Sequence, residues 1–184
     1  MKLLRRRLAS PANRPRALGA DMKRMTPEEC LESAARMEIQ AQVVYSALAI
    51  RYGERSDLRE LFSGLAREEE QHADRIRALA LHRAKQDLSD AAMARIAGTL
   101  KAVEAELAAL MEVGADGRMP DEPEEILRKV TDFEKRYESI HAEYLAQDFA
   151  PGMQGMFFSL ARNDRKHSEL LKQARDAHGG GGEA

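Results

Sequence analysis

The sequence contains few of the residues that form cross-links or aromatic clusters. It has one cysteine and no tryptophan, and aromatic residues make up only 5% of its 184 positions. A single thiol excludes an internal disulfide and any metal site built from several thiolates. We therefore expect Cys30 to be a reduced, half-buried residue of a helix.

Long apolar runs are also missing. No segment approaches the roughly 18 consecutive apolar residues of a membrane span, and the first residues lack the apolar core of a secretory signal. These absences lead us to expect a soluble, cytoplasmic protein without a transmembrane segment.

What the chain does contain favours helices. Hydrophobic residues make up 43% and charged residues 33% of the sequence, and Ala, Leu, Glu and Arg are frequent. These residue types are strong helix formers, and a chain of this length can build one domain with a substantial core. The composition predicts an all-α fold.

Charge is distributed unevenly along the chain. The net charge of -2 gives no general reason to expect nucleic-acid binding, but residues 1–24 carry eight Lys or Arg against Asp21 alone. We predict a flexible basic arm over residues 1–24, which is either a solvated tail or a contact for an anionic partner. The Gly-rich residues 179–184 predict a flexible tail, which leaves residues 25–178 as the folded domain.

Local patterns predict where the helices begin and end. Thr26 and Glu29 form a capping box around Pro27, and Gly53 follows the apolar pattern, so a first helix should run from residue 27 to about Tyr52. Apolar periodicity predicts further helices from residue 57, over 89–113, over 122–146 and from 151 to about 178. Short links between the first and second helices, and between the last two, predict antiparallel hairpins. The last helix is expected to pack four residues into the core: Met153, Met156, Phe157 and Phe158.

The second predicted helix carries a pair of residues that can bind metal. Glu69 and His72 lie three residues apart, so both side chains leave the same side of the helix. A shift of 95 residues places Asp164 on Glu69 and His167 on His72. Packing residues repeat in the same register: Phe62, Leu65 and Ala66 in the first copy and Phe157, Leu160 and Ala161 in the second. Agreement of polar and apolar positions predicts a duplicated hairpin with one such pair in each half.

The first helix of each hairpin should supply a carboxylate at the same height. With roughly 1.5 Å of rise per residue, Glu69 lies about 22 Å from its turn and Glu38 about 25 Å. In the second hairpin Asp164 lies about 22 Å from the turn, Glu134 about 23 Å and Glu138 about 17 Å. We therefore prefer Glu134 as the partner of Asp164, with Glu138 as the alternative.

Six residues form the predicted metal site: Glu38, Glu69, His72, Glu134, Asp164 and His167. Their four negative charges balance two divalent cations, which relieves the cost of burying carboxylates together. Oxygen and imidazole donors without thiolate suit two Fe ions, with Mn or Zn as possible substitutes. Glu69 and Glu134 are candidate bridges between the metals. Three other acidic residues of the second helix are predicted to lie on its solvent face, outside the site: Glu68, Glu70 and Asp74.

The chain resembles the ferritin-like superfamily and, within it, the rubrerythrin branch over about residues 28–176. The motifs that carry the resemblance are Glu38-x6-Tyr45, Phe62-x2-Leu65-Ala66-x2-Glu69-x2-His72 and Asp164-x2-His167. The resemblance implies a four-helix bundle with a helical crossover, here residues 89–113, between the second and third bundle helices. It also implies a non-haem di-iron centre on the six residues named above, with Asp164 in place of a family glutamate, and a homodimer.

Two features depart from the family pattern. His141 follows Glu134 by seven residues, where the spacing of Glu38 and Tyr45 would place a tyrosine. Tyr45 and His141 are therefore candidates for residues that support the ligands, and His141 is also a candidate for an extra ligand. One cysteine cannot form the four-cysteine rubredoxin module of rubrerythrins, so any peroxide reduction would need an external electron donor.

The leading hypothesis is a protein that oxidises Fe(II) with O2 or hydrogen peroxide, or that reduces peroxide with electrons from a separate donor. One alternative is a di-iron hydroxylase of an organic or RNA substrate that the basic arm recruits. Another is a non-catalytic module that binds or stores iron. Because Asp164 is one methylene shorter than Glu, the tighter metal is expected near Glu69 and His72.

Overall fold

The computed structural model describes residues 26–81, 89–115, 120, 122–149 and 151–179. Every regular element in these ranges is helical, which confirms the predicted all-α class. The elements are α1 (Pro27–Arg51), α2 (Ser56–Leu81), α3 (Asp90–Ala115), α4 (Glu124–Ser139), a π-helical segment (Ile140–Leu145), α5 (Ala146–Asp148) and α6 (Pro151–Gly179). None of the described helices is long and apolar enough to cross a membrane. The predicted basic arm and residues 180–184 of the predicted tail lie outside the described residues, whereas Gly179 is the last residue of α6.

α1 begins and ends where local sequence signals predict. Thr26 Oγ1 accepts a 3.1 Å hydrogen bond from the Glu29 amide, and Glu29 Oε2 accepts a 2.7 Å bond from the Thr26 amide. These reciprocal bonds satisfy amides that the first turn of a helix leaves unpaired. At the other end, a Cβ on Gly53 would lie 3.1 Å from the carbonyl oxygen of Ile50. A larger residue would press on the end of α1, so Gly53 suits the tight link to α2.

Two hairpins and a crossover helix build the bundle. α1 packs against α2, α4 packs against α6, and α2 also contacts α6. α3 connects the hairpins and lies against α1 and the π-helical segment. Ser33 Oγ donates a 2.8 Å hydrogen bond to Glu104 Oε1, which joins α1 to α3. The predicted bundle with a helical crossover between its second and third helices is confirmed.

Two expectations about burial are wrong. Cys30 is fully buried rather than half-buried, because α1 is covered by both α2 and α3 and the small thiol packs as an apolar group. Burial, followed by the nearby charge of Glu29, raises the pKa of the Cys30 thiol to about 11. Phe158 is 48% exposed, whereas Phe157 is fully buried. Consecutive helical residues point about 100° apart, so only one of the two can face the core.

The predicted fourth helix is continuous in the sequence but changes its winding in the structure. After Ser139 the backbone adopts π-helical turns through Leu145 before α-helical geometry returns. A π-helical segment holds more residues per turn and rotates the side chains that follow it. His141 lies in this segment and is buried, so the change of winding sets the direction of a buried polar side chain.

Candidate metal centre

A cluster of buried polar side chains lies where α1, α2, α4 and α6 meet. All six residues predicted from the sequence as metal ligands belong to it and are buried, and His141 is buried beside them. Burying four carboxyl groups in one place is costly unless charge and hydrogen bonding are supplied nearby. The cluster therefore needs either bound cations or protons on its histidines.

Glu69 lies at the centre of the cluster because its two oxygens point toward different histidines. Glu69 Oε2 is 3.0 Å from His72 Nδ1, and Glu69 Oε1 is 3.0 Å from His167 Nδ1. The two imidazole rings stack with centroids 5.7 Å apart. Glu69 can thus contribute one oxygen to each of two adjacent metal positions.

The ligand atoms form two overlapping groups. Glu38, Glu69 and His72 make the first group, and Glu69, Glu134 and His167 make the second, with the ligand atoms of each group within 4.8 Å of one another. Glu38 Oε2 lies 3.7 Å from His72 Nδ1, and Glu134 Oε2 lies 3.5 Å from His167 Nδ1. We call these the Glu38 group and the Glu134 group. Among the described residues only Glu69 occurs in both, so Glu134 as a second bridge stays a prediction.

Asp164 occupies the position equivalent to Glu69 but belongs to neither group. Its Oδ2 lies 2.7 Å from His141 Nδ1, and the other ring nitrogen of His141 lies 3.0 Å from Glu38 Oε1. The shorter aspartate is thus connected to the cluster through the imidazole of His141. Metal binding by Asp164 or His141 stays a prediction, and His141 has the position of a residue that supports two carboxylates at once.

Tyr45 and His141 act as counterparts in the two hairpins. Tyr45 follows Glu38 by seven residues and donates its hydroxyl hydrogen bond to Glu134 in the opposite hairpin. His141 follows Glu134 by seven residues and contacts Glu38 in the opposite hairpin. Each hairpin therefore supports the carboxylate of the other from the same position.

The alternative ligand Glu138 lies away from the cluster. Arg165 Nε donates a 2.8 Å hydrogen bond to Glu138 Oε1, and Arg165 is an exposed residue of α6. Glu134 is fully buried. The geometry therefore places Glu134, and not Glu138, among the clustered carboxylates.

Protons on the histidines balance the carboxylates in the metal-free cluster. Burial lowers the pKa of each imidazole, but hydrogen bonds and the charges of neighbouring carboxylates outweigh it and raise the pKa of His72 and His141 to about 10 and that of His167 to about 12. Burial also opposes ionisation of Glu38, yet the protonated rings of His141 and His72 beside it bring its pKa down to about 2. Burial raises the pKa of Asp164 to about 6, against the pull of His141.

The donor atoms fit divalent cations. Oδ1 of Asp164 accepts no hydrogen bond within the described residues, and both oxygens of Glu38, Oε1 of Glu69 and Oε2 of Glu134 meet only imidazole nitrogens, in contacts that lack hydrogen-bond geometry. Buried carboxylate oxygens that lack donors are the atoms a cation would satisfy. Mixed oxygen and imidazole donors suit Fe, Mn or Zn. The Glu38 group and the Glu134 group could each hold one such ion.

Two residues that contact the site were missed in the sequence. Glu68 was expected to lie outside the site, and its side chain is 51% exposed, but its Oε2 lies 3.0 Å from Nε2 of the buried His167. Asn163 Nδ2 lies 3.0 Å from Nε2 of His72. Glu68 precedes Glu69 and Asn163 precedes Asp164, so the 95-residue repeat relates them as well. Polar residues that share this offset were the signal that could have identified them.

Comparison with known protein families gives a match to this chain. The family model for rubrerythrin matches residues 29–143, which is more than half of the chain. The chain belongs to the rubrerythrin family. Searches of curated proteins and of solved structures gave no match.

The family match covers one part of the candidate metal centre and not the other. It includes Glu38, Glu69, His72 and Glu134, and ends within the π-helical segment. Asp164 and His167 lie beyond it on α6. Rubrerythrins typically bind a pair of iron ions, and here the second half of the cluster is carried by the less regular copy of the repeat.

Proposed function

We propose that this protein is a di-iron oxidoreductase that oxidises Fe(II) with O2 or hydrogen peroxide, or reduces peroxide with electrons from a separate donor. The observation that carries the proposal is the placement of Glu69 between two buried groups of ligands, with one oxygen toward each. A carboxylate shared in this way favours two adjacent metal ions over one. Membership of the rubrerythrin family supports iron as the metal.

In the proposed site each group has one imidazole and one carboxylate of its own. His72 and Glu38 would hold one ion, His167 and Glu134 would hold the other, and Glu69 would join them. A bound pair of Fe(II) ions would supply two electrons, the number needed to reduce hydrogen peroxide to water with two protons. Burial of the ligands limits water access and keeps the polar interactions strong.

The remaining polar residues would hold the ligands in place. Tyr45 donates to Glu134, and His141 lies between Glu38 and Asp164. Both are buried, so their hydrogen bonds fix the orientation of carboxylates that would otherwise repel one another. His141 can also hold a proton beside Asp164, which gives the cluster a proton close to its ligands.

Other parts of the proposal concern partners. The single cysteine leaves no thiolate set for an electron-transfer iron site of the rubredoxin kind, so peroxide reduction in repeated cycles requires an external donor. A homodimer is a further expectation from the family. The hydroxylase and storage alternatives stay predictions, and the basic arm on which the first depends lies outside the described residues.

Anaerobic titration with Fe(II), followed by O2 or hydrogen peroxide, tests the proposal. The wild-type protein should bind two Fe(II) per chain and then consume the oxidant. A variant that carries His72→Ala and His167→Ala together should neither bind iron nor consume the oxidant. Glu70→Ala, at an exposed position of α2, should behave as wild type.

Binding of fewer than two Fe(II) by the wild-type protein would contradict the proposal. Retention of ferric iron without further turnover, in the presence of a reductant, would favour the storage alternative instead.

A further inference from the structure

His72 and His167 each contact a residue of the other repeat copy through the ring nitrogen that points away from the clustered carboxylates. His72 belongs to the first copy and its Nε2 lies 3.0 Å from Asn163 of the second. His167 belongs to the second copy and its Nε2 lies 3.0 Å from Glu68 of the first. In both histidines the opposite ring nitrogen, Nδ1, faces the carboxylates of the site. Each copy of the repeat therefore supports the histidine of the other copy, at the place where α2 contacts α6.

The two contacts are chemically unequal. An ionised carboxylate can only accept a hydrogen bond, so Glu68 requires a proton on Nε2 of His167 and leaves the Nδ1 lone pair for a metal ion. An amide can donate or accept after rotation, so Asn163 allows His72 either arrangement of its proton. A carboxylate partner also makes an imidazole a stronger metal ligand. His167 thus has a partner that favours metal binding and His72 has a neutral one, so these contacts favour the Glu134 group, opposite to the expectation from the short Asp164.

The exposure of Glu68 does not reduce this contact to an ordinary surface ion pair. Exposed pairs contribute little because water competes with both partners. Here the imidazole partner is only 1% exposed, although the Glu68 side chain is 51% exposed. Water therefore reaches the carboxylate but not the buried ring. Asn163, at the equivalent position of the repeat, likewise contacts Nε2 of a buried histidine.

We propose that Glu68 and Asn163 are positioning residues for His167 and His72, and that their difference in charge makes the two metal positions unequal in affinity. This inference rests on the proposed function only in that both groups take up metal. It adds two residues outside the ligand set. It also attributes the difference in metal affinity to the contacts of Glu68 and Asn163, which can be changed by mutation without altering a metal ligand.

Exchange of carboxylate and amide at constant shape tests the inference. Glu68→Gln removes the charge behind His167, and Asn163→Asp adds one behind His72. Mutation of a residue that supports a metal-binding histidine weakens metal binding by about 10- to 100-fold, so Glu68→Gln, which keeps an acceptor but removes its charge, should lower zinc affinity of the Glu134 group by up to that factor. Asn163→Asp should raise zinc affinity of the Glu38 group. Glu70→Gln, at the exposed neighbouring position, is the matched control and should change neither.

Zinc is the probe because it has no redox chemistry that could mix oxidation with binding. Crystals of each variant, loaded with one equivalent of zinc, give the occupancy of each position from anomalous scattering. The ratio of Glu134-group to Glu38-group occupancy should fall in both exchange variants, by loss in one and by gain in the other. Nitrogen-15 NMR of the zinc-loaded wild-type protein should find the proton of His167 on Nε2.

The outcomes separate this inference from the proposed function. An unchanged occupancy ratio in both variants, with two zinc ions bound by the wild type, would overturn the inference and leave the metal centre standing. A wild-type protein that binds no metal would overturn both. Since Asn163→Asp is expected to strengthen binding, a folding defect in Glu68→Gln cannot imitate the full result.

Discussion

The two copies of the repeat meet at one site but contribute to it differently. In the first copy, Glu69 extends an oxygen to each histidine and belongs to both ligand groups. In the second copy, the equivalent Asp164 is one methylene shorter and is bonded to His141 instead. One methylene thus separates a carboxylate that can join two metal positions from one held at the side. The duplicated hairpin places equivalent positions symmetrically around the site. Differences at single positions, such as Glu69 and Asp164, then make its two halves chemically unequal.

Tyr45 and His141 are a second pair of equivalent positions at which the two copies differ in chemistry. They occupy equivalent positions and contact carboxylates of opposite hairpins. Tyr45 is a neutral donor whose pKa is raised well above its usual range, first by burial and then by the charge of Glu134. His141 can carry a positive charge between Glu38 and Asp164. The side of the site that has the short carboxylate therefore also has the extra cation.

Removal of the two equivalent carboxylates should produce the largest difference between the copies. Metal affinities on the order of 10 to 16 kcal/mol, shared among four ligands, give about 3 kcal/mol for each ligand. Glu69→Ala should therefore weaken zinc binding on the order of 100-fold at both positions. Asp164→Ala should weaken it much less, because Asp164 belongs to neither group. Competition with a chelator measures both, and Asp74→Ala, at an exposed site, is the control. Equal losses in the two variants would mean that Asp164 binds metal as Glu69 does.

His141→Phe should destabilise the metal-free protein by removing the ring between Glu38 and Asp164. Hydrogen bonds to charged groups contribute roughly 1.5 to 3 kcal/mol, so the free energy of unfolding should fall by about 2 kcal/mol. Tyr137→Phe is the control, because Tyr137 is buried near His141 and its hydroxyl has no hydrogen-bond partner within the described residues. Urea unfolding of the chelator-treated proteins at neutral pH measures the difference. A loss of stability as large in the control would show that His141 contributes packing alone.

Asp164→Glu should make the second copy more like the first. The added methylene would allow the carboxylate to reach past His141 toward the ligand groups, so zinc affinity should rise by up to about tenfold, or about 1.4 kcal/mol. Asp74→Glu makes the same change at an exposed position of α2 and should have no effect. Weaker binding in Asp164→Glu would indicate that the bond from His141 matters more than the reach of the carboxylate.

Some of this arrangement follows from local sequence and some does not. The ends of α1 were predictable because Thr26 and Glu29 interact over one turn, and the heights of Glu38 and Glu134 followed from a constant rise per residue. The π-helical segment around His141 was not predictable, since it depends on burial against other helices. Glu68 was assigned to the solvent because charged residues usually lie there, although its carboxylate reaches a buried ring.

The last prediction concerns protons on the two copies in the metal-free protein. His72 has a pKa of about 10 and His167 a pKa of about 12, both above the ordinary value of 6.5, since their carboxylate neighbours outweigh burial. A histidine whose pKa is raised by folding stabilises the fold fully below about pH 6.5, and this contribution declines as pH rises toward the folded value. Metal-free protein should therefore lose stability as pH rises above about 6.5, up to about pH 10 for the contribution of His72 and about pH 12 for that of His167, so His72 should release its proton first. NMR titration of the ring signals gives the order, and thermal unfolding gives the slope. Release of the His167 proton first would mean that Glu69 and Glu134 hold their histidine less strongly than Glu38 and Glu69 hold theirs.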